Sequence, residues 1–353
     1  MAISRSNILI PVETRTRIAE YEAAVLAGSI QPGCRLAKAL KDENDFTTAL
    51  LRTKLPQIFA ESAVAGDGSD WNLTELGLLG DISVAMGVTI FDDGRHSDPE
   101  VHAEPFEGGL VFVPGALLRS GGPAKPADWD EVVDVQGQIN PDAYDALYAR
   151  RLLPGFRWVE ERTKECVQPA LVTLPGLGCG QFAGPFRGQL GAHLERALRR
   201  FLDQYGSEFP SIRTVVFGTY DECQPARAVH GGIDFRVSRL TMGGKPQLSR
   251  PVAHADNDED RERLRGCRLF SFVAWDHVSW PGNDFYGGAR ATDDGVKAAA
   301  TDAMEVLTGV AGRYLPQRNE YLPPEPHRTW GELVRELGVM FPVKFVARRA
   351  RIQ

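Results

Sequence analysis

The spacing of apolar residues predicts a helical N-terminal region followed by strands. Apolar side chains recur at helical spacing over residues 15–27 and 45–63, so residues 1–80 should be mostly helical. Stretches rich in Val, Phe and Leu at residues 88–91 and 109–118 are typical of strands.

The densest alternation of strands and helices follows in the second half of the chain. This alternation favours an α/β fold, a three-layer α/β/α sandwich around a mixed sheet. The expected strands are 170–174, 213–220, 269–275 and an edge strand at 342–347, and the expected helices are 141–153, 189–205, 295–308 and 329–337. Residues 223–266, which include the charge run DNDEDRER, are polar and predict a solvated, loop-rich stretch.

Length and composition fit an ordinary globular protein with one large domain or two modest ones. Hydrophobic residues make up 43% of the 353 residues and charged residues 25%, so a sizeable core is expected. We expect a mostly helical N-terminal extension over 1–84, a core over 85–312, and a C-terminal segment over 313–353 that packs on the core.

Charge and cysteine usage narrow the cellular setting. The net charge is −7, which gives no sign of a basic nucleic-acid surface. No apolar run is long enough to cross a bilayer, and the early stretch NILIPV is too short for a secretory signal. Five cysteines occur without a CxxC pair, which is typical of reduced thiols. We therefore expect a cytoplasmic protein that binds neither nucleic acid nor membrane, and delivery into a host cytosol fits the same pattern.

A loop with four glycines joins the predicted strand at 170–174 to the predicted helix at 189–205. Its sequence, LPGLGCGQFAG, spans residues 174–184. Glycines here let backbone N–H groups converge on a phosphate oxygen. The spacing matches neither Walker A nor GxGxxG, and a purely structural turn stays open as the alternative. Cys179 has no basic neighbour in this loop, so we do not expect it to act as a nucleophile.

A second loop, residues 275–294, carries four aspartates after a predicted buried strand, and Asp276, Asp284 and Asp294 are the candidates for chemistry among them. Each has an ordinary structural explanation, because Asp276 can end the strand in a turn, Asp284 can close an Asx turn and Asp294 can cap the next helix. The presence of all three aspartates together with Asn283 is harder to explain, since crowded carboxylates lower stability unless a ligand or cation binds there. The pattern therefore indicates a ligand crevice at this end of the strand.

Aromatic residues interleave with these acids. Phe285 and Tyr286 are candidates for stacking on a sugar or base, and the alternative is that they cover the hydrophobic core. His277 follows Asp276 directly. Because neighbouring residues on an extended segment point to opposite sides, we do not expect His277 to act as a general base.

Together the two loops resemble the ADP-ribose site of macrodomains. The run GNDFYGG, followed by DDG before a helix, resembles the catalytic loop of that family, and residues 176–184 resemble its diphosphate loop. Tyr220 ends the next strand, where the family usually has an aromatic residue on the adenosine side. Ordinary macrodomains have the catalytic loop first in the sequence, whereas here it comes second. We therefore expect an altered strand order that brings both loops to one edge of the sheet.

A closer resemblance is to the MavL-type effector family of macrodomain-like ADP-ribosylhydrolases, which remove ADP-ribose from an arginine of ubiquitin. It rests on the run GNDFYGGARATDDGVKAAAT and on the spacing of Asp276, Asp284 and Asp294. Poly(ADP-ribose) glycohydrolase is more distantly similar, and its paired glutamates are missing here. The resemblance covers residues 170–310 in motifs and 85–310 in architecture, so the core at 85–312 is the expected ADP-ribose-binding catalytic unit.

The resemblance implies a site that needs no cofactor and no metal ion. The implied catalytic residues are Asp276, Asp284 and Asp294. The implied contacts to ADP-ribose are Gly176, Gly178, Cys179, Gly180, Gln181, Phe182, Tyr220, Asn283, Phe285, Tyr286, Gly287, Gly288 and Ala289. Asp81 and Asp92 are further candidates for reading the adenine.

These observations favour an ADP-ribosylhydrolase whose substrate is an ADP-ribosylated protein, with arginine as the linkage and ubiquitin as the implied partner. Carboxylates can activate water and tolerate an oxocarbenium-like charge, and an acidic pocket suits a guanidinium leaving group. Three alternatives stay open: a non-catalytic ADP-ribose reader, a Mg²⁺-dependent phosphoester or nucleotide-sugar hydrolase, and an α/β protein with a structural glycine loop.

Overall fold

One mixed sheet of eight strands forms the centre of the protein. The structure is a computed structural model that describes residues 6–57, 69–120, 125–240 and 244–338. The strands are β1 (Ser6–Leu9), β2 (Ser83–Asp92), β3 (Val101–Pro114), β4 (Ala170–Pro175), β5 (Ile212–Thr219), β6 (Ala226–His230), β7 (Ile233–Arg239) and β8 (Arg268–Trp275). A separate hairpin consists of β9 (Arg313–Leu315) and β10 (Glu320–Leu322).

Helices precede the sheet in the sequence and connect its strands. The α-helices of the described residues are α1 (Val12–Leu26), α2 (Cys34–Ala39), α3 (Phe46–Arg52), α4 (Leu73–Gly80), α5 (Trp129–Val132), α6 (Pro141–Cys166), α7 (Leu190–Tyr205), α8 (Asp258–Leu264), α9 (Asp293–Ala300), α10 (Ala303–Thr308) and α11 (Trp330–Leu337). Within the same residues, no helix combines the length and apolar character needed to cross a membrane.

The strand order places two distant loops side by side. Across the sheet the order is β1-β2-β3-β8-β4-β5-β7-β6, and the five strands from β3 to β7 in this order run parallel. The carboxyl ends of parallel strands lie at one edge of a sheet, so the loops that follow them meet there. Because β8 lies between β3 and β4, the loop after β8 adjoins the loop after β4. The altered loop order expected from the sequence is therefore confirmed.

Two hydrophobic layers cover the sheet, which confirms the three-layer α/β/α sandwich. On one face, side chains from α3, α4, α9 and α10 pack against alternate residues of β8 such as Leu269 and Val273. On the other face, α6 and α7 pack against Phe270 and Phe272. This two-residue alternation is the one expected for a strand that is buried on both faces.

Most elements of the second half occur where the apolar pattern predicts them. The strands β4, β5 and β8 and the helices α7 and α11 begin and end within one residue of the predicted bounds. The predicted edge strand at 342–347 lies outside the described residues, as do residues 58–63 of the predicted helix at 45–63. Local periodicity was therefore sufficient for β4, β5 and β8, whereas β3 spans Val101–Pro114 rather than the predicted 109–118.

Three predicted helices differ in length from the structure. The helix predicted over 45–63 ends at Arg52, and Leu55 forms a β-bridge with Ser279 instead. The helix α6 runs to Cys166 rather than ending before Pro154, because the buried Phe156 and Val159 pack on the sheet and outweigh the hydrogen bond that proline removes. The helix predicted at 295–308 is two helices, α9 and α10. Thr301 leaves the helix to bridge with Ile90 of β2, which interrupts the helical hydrogen bonds.

The prediction of a loop-rich stretch over 223–266 is wrong in its secondary structure, although most of the charge run is solvent-exposed as expected. This stretch contains β6, β7 and α8, and its charge run includes the buried Asp260, which is 4% exposed. The Asp260 carboxylate forms ion pairs with Arg227 of β6 at 2.8 Å and with Arg236 of β7 at 3.0 Å. Charged side chains therefore attach α8 to the edge of the sheet, and a hydrophobic pattern cannot reveal such a contact.

A buried arginine on α6 connects the elements around the carboxyl edge of the sheet. Arg151 is fully buried and forms ion pairs with Asp128 at 2.7 Å and with Asp81 at 3.1 Å. Its Nη1 also donates to the backbone carbonyl of Gly115, directly after β3, at 3.1 Å. Burial opposes ionisation of Asp128, but Arg151 and then His277 outweigh it and hold the pKa of that carboxyl well below its usual range.

We expect Arg151→Met to lower the free energy of unfolding by about 3–5 kcal/mol, because the substitution leaves the Asp128 carboxylate buried without its cation. Urea unfolding measures the loss. The control is Arg157→Met, which removes an exposed ion pair with Glu208 and should cost less than about 1 kcal/mol. Equal losses in the two variants would contradict a central role for Arg151.

Candidate functional site

Three loops meet at the carboxyl edge of the sheet, and they follow β3, β4 and β8. The N–H of Gly115, after β3, donates to Trp275 O at the end of β8 at 3.3 Å. The N–H of Leu118 donates to Phe182 O in the glycine loop at 2.8 Å. Residues 115–118 therefore lie between the two loops that the sequence singled out, and no motif in the sequence had pointed to them.

The glycine loop after β4 lies directly against the loop after β3. A Cβ atom on Gly115 would lie 2.2 Å from Gly178 N, and Gly178 itself has a φ of 74°, which favours glycine. The Tyr148 hydroxyl on α6 fixes the glycine loop by donating to Leu177 O at 2.6 Å. Within the described part of the chain, the N–H groups of Gly178 and Gly180 have no hydrogen-bond acceptor; Gly180 is exposed, whereas Gly178 is buried against the loop after β3.

Side chains of the glycine loop are mostly engaged within the protein. Burial raises the pKa of the Cys179 thiol well above its usual value, so the thiol stays protonated and is a poor nucleophile. Gln181 accepts a hydrogen bond from Arg119 at 2.5 Å. The ring of Phe182 lies 6.0 Å from the His277 ring, between centroids. The backbone of this loop, rather than its side chains, is the part free to contact a ligand.

Asp276 closes the turn that follows β8. Its Oδ1 accepts hydrogen bonds from the N–H groups of Val278 at 2.8 Å and Ser279 at 2.6 Å. Its Oδ2 accepts from the Ser279 hydroxyl at 2.5 Å and from Asn283 Nδ2 at 3.2 Å. Both carboxylate oxygens are therefore used inside the turn, which is the structural role considered for this residue.

Asp284 holds the start of α9. Its Oδ2 accepts from the N–H groups of Ala291 at 2.8 Å and Thr292 at 3.1 Å, and its Oδ1 accepts from the Thr292 hydroxyl. Thr292 is also the N-cap of α9, since its side chain accepts from the Gly295 N–H at 3.0 Å. Thr292 therefore caps the helix, and Asp294 does not.

Asp294 differs from the other two acids because one of its oxygens has no partner. Its Oδ1 accepts from the Gly282 N–H at 2.5 Å, whereas its buried Oδ2 has no hydrogen-bond partner among the described residues. Burial raises the pKa of Asp294 well above its usual value, and the nearby negative charges of Asp276 and Asp284 raise it further. The side chain is 4% exposed, so Asp294 is a buried carboxyl group whose neutral form is more favoured than in an exposed aspartate.

Two buried lysines adjoin the acids, and the sequence analysis identified neither. Lys297 forms an ion pair with Asp293 at 2.5 Å, an i, i+4 contact within α9 that its spacing could have indicated. Lys54 lies beside Asp276, from a segment more than 200 residues earlier in the chain, and no sequence pattern signals that contact. We call Asp276, Asp284, Asp293 and Asp294 the aspartate cluster.

Several other residues implied by the family resemblance have positions that limit their roles. Phe285 and Tyr286 are each 1% exposed and pack in the hydrophobic core, so their rings offer no open face for stacking. Tyr220, by contrast, is 59% exposed at the end of β5. The N–H groups of Gly288 and Ala289 donate within their own turn, at 3.0 and 3.2 Å, and are already occupied.

The two candidate adenine-reading acids are enclosed by cations. Asp81 is fully buried and pairs with Arg17, Arg150 and Arg151, and these arginines outweigh burial and lower the pKa of Asp81. Asp92 is also fully buried and accepts from Arg290 at 2.7 and 2.9 Å. The Asp81 carboxylate is thus engaged in holding Arg151, and Asp92 anchors the loop that carries Arg290.

Comparison with known proteins gives one family. A family model described as "Macrodomain effector MavL" matches residues 6–327, which is most of the chain. No curated protein matches the sequence. The matched span includes the glycine loop, the aspartate cluster and the N-terminal helices.

We expect Gly295→Ala to destabilise the protein by roughly 1–3 kcal/mol, because a Cβ atom there would lie 2.2 Å from Asp284 Oδ1. In most helices the same substitution is stabilising. The control is Gly77→Ala in α4, where the nearest atom would lie 3.6 Å away, and this variant should be as stable as the wild type or more so. Urea unfolding of both variants makes the comparison, and a neutral Gly295→Ala would contradict the described contact.

The raised pKa of Asp294 predicts a pH-dependent difference in stability between the wild type and Asp294→Asn. In the folded state this carboxyl binds its proton more tightly than in the unfolded state, so its contribution is favourable at low pH and is lost as pH rises through the folded pKa. Melting temperatures should therefore shift in favour of Asp294→Asn from about pH 4 upward. A constant difference between the two proteins across that range would show that Asp294 ionises normally.

Proposed function

The chain belongs to the MavL family of macrodomain effectors, and we propose that it is an ADP-ribosylhydrolase. Membership in this family supports ADP-ribose binding. The proposed reaction is hydrolysis of the N-glycosidic bond between ADP-ribose and an arginine of a modified protein. The observation that carries the proposal is Asp294, a buried carboxyl group at the edge where the loops meet, one oxygen of which has no hydrogen-bond partner among the described residues.

The order of the strands supports one orientation for the ligand. β4 lies between β5, which precedes Tyr220, and β8, which precedes the aspartate cluster. Adenosine would stack on the exposed Tyr220, and the diphosphate would accept hydrogen bonds from Gly178 and Gly180 in the glycine loop. The distal ribose would then reach Asp294. The order of adenosine, diphosphate and distal ribose in ADP-ribose thus matches the order of β5, β4 and β8 across the sheet.

In the proposed mechanism Asp294 moves a proton between water and the leaving group. The cationic guanidinium of the substrate favours the ionised form of Asp294, which is the form that can accept a proton from water. As the carbon–nitrogen bond breaks, a water oxygen bonds to the anomeric carbon and its proton passes to Asp294 Oδ2. The departing guanidine takes this proton, so guanidinium is released and no net proton is consumed.

Asp276 and Asp284 have supporting roles in this proposal. The Asp276 carboxylate holds Asn283 in the turn, and Asp284 fixes the start of the helix that carries Asp294. Their negative charges also lie close enough to Asp294 to raise its pKa, and the same field favours a developing positive charge on the ribose. They act through electrostatics and position rather than through direct proton transfer.

The acidic character of the site supports arginine as the linkage. A guanidinium is a cation with planar N–H donors, and carboxylates pair with it in a bidentate manner. The spacing of Asp276, Asp284 and Asp294, which resembles the MavL-type enzymes, points to ubiquitin as the modified protein and to a host cytosol as the place of action. A serine- or glutamate-linked ADP-ribose would present no such cation.

We expect Asp294→Asn to slow release of ADP-ribose from arginine-modified ubiquitin by at least about 100-fold, because the amide cannot carry the proton. The Kd for free ADP-ribose, measured by calorimetry, should change less than about threefold, since the diphosphate contacts remain. The matched control is Asp258→Asn, an exposed carboxylate on α8, which should keep wild-type turnover.

The same assay separates the competing functions. Tight binding of ADP-ribose by the wild type without release from any modified protein would contradict the hydrolase proposal and favour a reader. Loss of activity in EDTA, restored by Mg²⁺, would favour a metal-dependent hydrolase. Wild-type turnover by Asp294→Asn would contradict the role assigned to this residue.

A further inference from the structure

Lys54 lies buried against the turn that carries Asp276, although it belongs to the N-terminal extension. Its Nζ donates to His277 O at 2.5 Å and lies 4.2 Å from the centroid of the Trp275 ring. The side chain is 3% exposed. The ammonium therefore contacts the residues on both sides of Asp276 at the end of β8, and it is close to Asp276 itself.

Backbone hydrogen bonds fix the segment that carries Lys54 to the same turn. The Leu55 N–H donates to Val278 O at 2.8 Å, and the Trp280 N–H donates to Leu55 O at 2.7 Å. Leu55 thus forms a parallel bridge with Ser279. The position of the Lys54 ammonium is consequently set by the fold and not by a mobile surface side chain.

Burial of the Lys54 ammonium costs free energy unless the charge interacts favourably with another group. Burial lowers the pKa of Lys54 to about 7, even though the negative charge of Asp276 opposes the shift. An apolar side chain of similar length would fill the same space without losing hydration energy. The one carboxylate identified as favouring its charge is Asp276, which places the effect of Lys54 at the aspartate cluster.

We propose that Lys54 is a positioning residue that controls the geometry of the aspartate cluster through Asp276 and its turn. The inference rests on the proposed hydrolysis at that cluster. The charged ammonium attracts the Trp275 ring and binds His277 O strongly, and a neutral amine loses the first contact and weakens the second. The Gly282 N–H, which donates to Asp294, lies on the loop after β8 that Lys54 contacts. The charged form of Lys54 therefore keeps this loop, and with it Asp294, in place.

Among the described residues, which exclude 58–68 of the same segment, few titratable groups lie near Lys54. On the turn, Asp276 and His277 face it, and the imidazole of His277 contacts Asp128 at 3.3 Å on its other side. Residues 53 and 55–57 of its own segment carry no titratable side chain. Asp294 lies beyond Asp276, within reach of its charge. A change in the charge of Lys54 therefore acts most directly on Asp276.

The test compares Lys54→Met, which is always neutral, with Lys54→Arg, which is always charged. Release of ADP-ribose from arginine-modified ubiquitin is measured from about pH 6 to pH 8.5, on either side of the Lys54 pKa. Wild-type turnover should fall about fivefold across that range as Lys54 loses its proton. The turnover of Lys54→Arg should equal that of the wild type at the acidic end of the range and stay high as pH rises. The turnover of Lys54→Met should equal that of the wild type at the alkaline end and be low at every pH.

A purely structural role gives a different result. The inference is overturned if the turnover of both variants falls with rising pH as it does in the wild type. It is also overturned if the turnover of both variants is lower than that of the wild type by the same factor at every pH. Lys54→Met should fold with a melting temperature at least equal to that of the wild type near neutral pH, because the buried charge is gone. Lys38→Met, at an exposed lysine of α2, should keep the wild-type profile.

Failure of the proposed hydrolysis can be told apart from failure of this inference. If the wild type releases ADP-ribose from no modified protein, the hydrolase proposal fails, and the same pH comparison is made on the hydrogen-exchange protection of the Gly282 N–H, which donates to Asp294. Protection of this amide should be high in Lys54→Arg and low in Lys54→Met, and it should fall in the wild type as pH rises. Equal protection in the three proteins at every pH would overturn the role of Lys54.

Discussion

The buried guanidinium of Arg151 is the interaction on which the geometry of the carboxyl edge depends. It binds the carbonyl that follows β3 and pairs with Asp81 and Asp128. Asp128 in turn contacts His277, directly after Asp276 in the loop that follows β8. Tyr148, one turn earlier on α6, holds the glycine loop after β4. Side chains on one face of α6 thus connect the three loops. A ligand that spans these loops would meet a site whose geometry the fold has already set.

Differences in solvation divide the aspartate cluster into distinct roles. The carboxylates of Asp276 and Asp284 accept several hydrogen bonds from backbone N–H groups and hydroxyls. Asp294 has fewer donors and is more deeply buried than Asp284, and its burial raises its pKa. Lys54 and Lys297 add positive charge at either side. Neighbouring carboxylates with unequal proton affinities are a common arrangement for acid–base chemistry.

The sequence predicted the parts of the site that local pattern encodes. The strand, loop and helix around the three aspartates occur as expected, and so does the glycine loop between β4 and α7. Contacts between distant charged side chains leave no periodic signal, so Arg151 and Lys54 could not be recognised. Burial of Phe285 is likewise decided by packing, because the same residue type suits either a ligand surface or a core.

A crystal structure of the protein with ADP-ribose tests the central claim most directly, since the claim is that one ligand spans the ends of β5, β4 and β8. The structure is expected to show the diphosphate on the N–H groups of Gly178 and Gly180, adenosine against Tyr220, and the distal ribose within hydrogen-bonding distance of Asp294 Oδ2. A ligand bound away from the glycine loop, or one whose distal ribose does not reach Asp294, would contradict it.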